Sequence, residues 1–157
     1  MTCLRATASA VIAATLVCAA PTAGFAAKAK LMPQAHESVS PSADGAVRYQ
    51  ASKVGVCNGA LCVVTFGKKA DKIRRITDIS CLLVSSTGNA LGSLITVDDR
   101  QISYLPFVSR GTAGTYEYAS GALAMDFEVL GGEQLEIEIA SGGTASDANC
   151  VINGTIE

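Results

Sequence analysis

Residues 115–139 read TYEYASGALAMDFEVLGGEQLEIEI. From Leu123 onward the apolar side chains take every second position, Leu123, Met125, Phe127 and Val129, with Ala124, Asp126 and Glu128 between them. After Gly131-Gly132-Glu133 the pattern resumes as Leu135, Ile137 and Ile139 around Glu136 and Glu138. A period of two is that of a half-buried strand, whereas a helix brings its apolar residues back every three or four positions. Two such runs joined by glycines predict an antiparallel hairpin. A three-residue loop keeps like faces together, with Val129 opposite Leu135 and Phe127 opposite Ile137. A two-residue turn at Ser120-Gly121 then sets Tyr118 opposite Leu123 and Tyr116 opposite Met125, with both tyrosines turned inward.

Outward from this stretch, short alternating runs bounded by Gly, Asn, Asp and Ser recur over residues 47–56, 60–66, 76–84, 91–97, 101–108 and 150–156, and helix signals are almost absent. About nine strands in a segment of this length predict an all-β fold, a two-sheet antiparallel β-sandwich of immunoglobulin-like or jelly-roll kind, with a partly closed barrel as the other arrangement. No repeat at solenoid or propeller spacing interrupts it.

The chain's first part has a different composition. Residues 1–26 comprise Arg5 in a short polar start, an apolar stretch over 10–20, then Pro21 and small residues ending Gly24-Phe25-Ala26. That is the layout of a cleavable export signal, with Ala27 as the first mature residue and cleavage after Ala29 as the alternative. Cys18 follows Val17 instead of a small residue, so a lipoprotein signal is matched poorly. The apolar stretch is about half of the roughly 20 residues a spanning helix needs, and no later run is long enough, so no transmembrane segment is expected. Residues 27–45, AKAKLMPQAHESVSPSADG, are polar with two prolines and read as a flexible leader. Residues 46–157 form the β-domain. The protein is expected to be secreted or periplasmic.

Removal of the signal leaves Cys57, Cys62, Cys81 and Cys150, an even number that in an oxidising compartment predicts two disulfides. Alternation places Cys81 with Ile79 and Leu83, and Cys150 with Ile152 and Ile156, on inward faces. The expected bridges are therefore Cys81–Cys150 and, across Asn58-Gly59-Ala60-Leu61, Cys57–Cys62. A tight Asn58-Gly59 turn would instead set Cys62 opposite Gly55. There is no CxxC, and the only histidine, His36, lies far upstream, so zinc is not expected.

The chain of 157 residues carries 12 Lys and Arg against 14 Asp and Glu, a net charge of -2, which gives no field for nucleic acid. Lys68, Lys69, Lys72, Arg74 and Arg75 form a local cationic run that reads either as a patch for a polyanion or as a solvated loop guarding a strand edge. Tyr104, Tyr116 and Tyr118 read as a sugar-stacking platform or as core. Asp98-Asp99 reads as a turn, and Asn153-Gly154-Thr155 matches a glycosylation acceptor inside a predicted strand. The hairpin register over Gly131-Gly132-Glu133 sets Glu128 opposite Glu136 and Asp126 opposite Glu138, a patch of carboxylates suited to calcium or a basic partner, provided both strands share one sheet.

With one histidine in the leader, no Ser/His/Asp or Cys/His arrangement can be assembled, and no cofactor motif is present. The expected function is an exported, non-catalytic binding or interaction domain meeting an extracellular glycan or envelope component. The alternative is a structural subunit of a surface or envelope assembly, and a small carbohydrate-active enzyme comes third.

Overall fold

A computed structural model describes residues 35–41, 46–86 and 90–157. The export signal, the mature start at Ala27 and leader residues 27–34 and 42–45 lie outside the described residues. The strands are β1 (His36–Pro41), β2 (Val47–Val54), β3 (Val56–Asn58), β4 (Leu61–Phe66), β5 (Arg74–Ser86), β6 (Ala90–Val97), β7 (Arg100–Leu105), β8 (Phe107–Ala113), β9 (Tyr116–Val129), β10 (Leu135–Ser141) and β11 (Thr144–Ile156). They form two antiparallel sheets, β1-β2-β11-β5-β9-β8 and β3-β4-β10-β6-β7, stacked as an open sandwich. No helix occurs among the described residues.

The alternation read from the sequence is the alternation of burial. Ile76, Ile79, Leu83 and Ile152 from the larger sheet meet Val64, Phe66, Ile95, Leu135, Ile137 and Ile139 from the smaller one, all with almost no exposed surface. Each such side chain contributes about 1.5–3 kcal/mol of hydrophobic burial. Tyr49 and Ala51 add the inner face of β2.

Two strands longer in the sequence reading are divided where the chain crosses between sheets. β2 and β3 are separated only by Gly55, whose N–H donates to the Ala148 carbonyl at 2.8 Å. β7 and β8 are separated by Pro106, which has no N–H to continue a ladder. Such bends are how corners between stacked sheets are made.

Three expectations are corrected. The leader expected over 27–45 contains strand β1, which pairs along its length with β2, from His36 opposite Ser52 to Pro41 opposite Val47. An edge strand exposed on nearly all its side chains has no apolar periodicity, so backbone pairing alone defines it. The turn expected at Ser120-Gly121 is absent, because β9 runs unbroken through both residues. Gly121 lies opposite Cys81 on one side and Phe107 on the other, and a Cβ there would sit 2.6 Å from the Pro106 carbonyl oxygen. Close approach, and not chain reversal, accounts for this glycine. Finally, β9 and β10 belong to different sheets, so residues 131–133 join sheets and close no hairpin.

Both disulfides are present as expected, Cys81–Cys150 and Cys57–Cys62. Each joins directly opposed residues of neighbouring strands, the first across β5 and β11, the second across β3 and β4. The short hairpin turns at Gly59-Ala60, one residue later than an Asn58-Gly59 turn, and this brings Cys57 opposite Cys62.

Candidate functional site

The cationic run does not act as one patch. Arg74 is fully buried and donates to the Gly67 and Glu133 carbonyls, each at 2.9 Å, beside the Tyr49 side chain. Burial pushes the Tyr49 phenol above its ordinary pKa, and the Arg74 guanidinium offsets part of that rise. Arg75 points to the opposite face of its strand and holds Asp126 in a two-pronged ion pair at 2.7 and 2.5 Å. This contact lowers the Asp126 carboxyl and raises the Arg75 guanidinium. Lys69 binds Glu37 of β1 at 2.7 Å, and Lys68 lies 3.7 Å from Asp98. Alternation along β5 sends Arg74 and Arg75 to opposite sides, and the loop lysines reach two different sheets.

The four-carboxylate patch is also taken apart. Asp126 and Glu128 stand on the outer face of the six-stranded sheet, whereas Glu136 lies opposite Thr65 and Thr96, and Glu138 opposite Val63 and Leu94, on the five-stranded sheet. Among the described residues no group of three or more His, Cys, Asp or Glu side chains is placed to hold a metal ion. The calcium reading falls with its premise.

The tyrosines are not turned inward as the hairpin register implied. Tyr116 is exposed and Tyr118 half-buried on the outer side of β9, because the strand continues without a turn and Ala119, Gly121 and Leu123 take the inner positions. Tyr104 is 65% exposed on the outer face of the other sheet. The buried tyrosine is Tyr49. Asp98 and Asp99, with φ of 44° and 62°, form the two-residue turn of the β6–β7 hairpin, as both positions of a type I′ turn require. Asn153 lies in mid-sheet, donating its side-chain amide to Asp78 Oδ1 at 2.6 Å.

What the structure does assemble is a polar groove on the outer face of the six-stranded sheet. Two adjacent cross-strand rows line it: Ser38, Gln50 and Asn153 in one, Ser40, Arg48 and Thr155 in the other. Thr77, at the irregularity of β5, closes one side. The hollow has a volume of 420 Å³. Gly154 also lines it, at the point where the ladder between β11 and β5 shifts register and a Cβ would lie 1.9 Å from the Arg75 carbonyl oxygen. Any side chain there would force the strands apart. The sequence reading missed this groove because two of its serines sit in the segment taken as leader.

A second, smaller hollow of 300 Å³ lies on the opposite side of the molecule, on the outer face of the five-stranded sheet, lined by Gly92, Leu94, Tyr104, Glu138 and Ala140. No family model, no curated protein and no solved structure matches the chain.

Proposed function

We propose that the chain is a non-catalytic binding domain that works outside the cytoplasm and holds a glycan in the polar groove of the six-stranded sheet. The observation that carries this reading is the pair of cross-strand rows over β1, β2 and β11, with hydroxyl, amide and guanidinium groups, lining a 420 Å³ hollow. Sugar hydroxyls lose water on binding and need donors and acceptors at close spacing in return, which such rows supply. The hollow falls within the range of small-ligand sites, though at its lower end. Two disulfides suit an oxidising compartment, and among the described residues no helix is long and apolar enough to cross a membrane.

The test is a screen of the mature domain against arrayed glycans and immobilised envelope polysaccharides. Retention of a glycan, weakened about fivefold by Gln50→Ala, is the expected result. A domain that retains none, or a Gln50→Ala variant that binds as well as the parent, would overturn the groove assignment. The open edge of β8, with Val108 exposed, favours the structural-subunit reading instead, and concentration-dependent oligomers in sedimentation would support it.

A further inference from the structure

Dismantling the carboxylate patch leaves Glu138 in an unusual setting. Its direct cross-strand neighbours are Val63 and Leu94, Ala140 follows on the same face of β10, and Tyr104 stands opposite Leu94 on the next strand. Beyond Val63 the row ends at Val56, which is 78% exposed. The outer face thus carries one row, Val56, Val63, Glu138, Leu94 and Tyr104, roughly 20 Å across at ordinary strand spacing. Glu136, two residues away, accepts from Thr65 at 3.0 Å and from Gln134 at 2.6 Å. Glu138 is half-buried and, among the described residues, has no hydrogen-bond or ion-pair partner. A carboxylate set among apolar neighbours and partly withdrawn from water gains from a cation that brings its own donors.

We propose that this face is a protein-docking surface whose anchor is a lysine side chain of the partner, its ammonium on Glu138 and its aliphatic stem lying across Leu94 toward the Tyr104 ring. Lysine fits because its four-carbon stem covers apolar surface while a compact ammonium, with three donors, reaches the single carboxylate. The length of the row favours a polypeptide over a free amine, which would leave Val56 and Val63 uncovered. An amino sugar fits less well, since its hydroxyls would face Leu94, Val63 and Ala140 without hydrogen-bond partners. Apolar residues flanking the lysine would lie on Val63 and Val56, giving an apolar surface around a charged centre.

The proposal is independent of the glycan groove, which lies on the other sheet, and its test does not involve a sugar ligand. The probes are acetyl-Leu-Lys-Val-amide and the same peptide with its lysine acetylated, titrated into the isotopically labelled domain and followed by amide chemical shifts. Saturable shifts confined to the five-stranded sheet, around Val63, Leu94, Tyr104 and Glu138, with the lysine peptide, and none with the acetylated one, are expected. Glu138→Gln, which keeps size and shape, should weaken binding about tenfold. Tyr104→Ser should weaken it as well, while the remaining resonances of both variants stay in place and report an intact fold. Equal response to the acetylated peptide, parent-like binding by Glu138→Gln, or no saturable response in the parent would each overturn the proposal. So would tighter binding of glucosamine at the same residues, which would make this face a sugar site.

Discussion

Arg74 is the largest fully buried side chain, and forms no ion pair, among the described residues. Its charge is answered by two carbonyls, Gly67 after β4 and Glu133 before β10, so a single guanidinium fastens two connections to the base of β5. Arg74→Met should lower stability by about 3 kcal/mol by leaving both carbonyls without a donor, read as a fall in the urea midpoint. Tyr49, beside it, gives a second handle. Its phenol stays protonated in the fold above the range where an unfolded tyrosine ionises, about pH 10. Stability is therefore complete below that range and declines as pH rises through the folded pKa, because the unfolded chain releases its proton first. Alkaline unfolding curves should show this decline in the parent and a smaller one in Tyr49→Phe. Asp126 behaves in the opposite sense. With its pKa lowered by Arg75, its contribution is present above the unfolded carboxyl's pKa and fades as pH falls through the folded value. Both groups are exposed, so salt screens the pair. The Asp126 carboxyl resonance should titrate below the usual carboxylate range in the parent and return to it in Arg75→Gln.

Among the elements, those with one buried face were legible and those without were not. β4 and β10 alternate strictly and β5 does so from Ile79 to Ser86, and that alternation put Cys81 and Cys150 on inward faces, which is why their pairing could be read. β1 has no buried face and left no pattern. Gly121 looks like a turn residue until the Pro106 carbonyl is seen lying over it. The ion pairs were illegible for another reason: Arg75 and Asp126 are 51 residues apart, and only sheet order makes them neighbours. The groove was hidden because two of its lining serines lie on β1. The two bridges also differ in worth. Cys81–Cys150 closes a separation of 69 residues and Cys57–Cys62 one of 5. In the chain-entropy model these correspond to ~4 and ~2 kcal/mol. Replacing Cys81 and Cys150 together by alanine should accordingly cost more stability than replacing Cys57 and Cys62, measured by urea unfolding under non-reducing conditions.

At the scale of the whole molecule, the sheet order has a consequence for time. β11, the last strand, lies between β2 and β5, and β10, the last but one, lies between β4 and β6. Take both away and the larger sheet separates into β1-β2 and β5-β9-β8, the smaller into β3-β4 and β6-β7. Isolated two-stranded pieces are marginal in water. A ribosome-bound chain halted after Glu133 should therefore be digested rapidly by protease, whereas the full chain, once released, resists. Synthesis proceeds at about 5–20 residues per second, so the earlier strands wait several seconds for the two that join them. On this order the polypeptide should stay a thread, able to pass through a narrow opening, until β10 and β11 have been made, and should become a folded body only after they have followed.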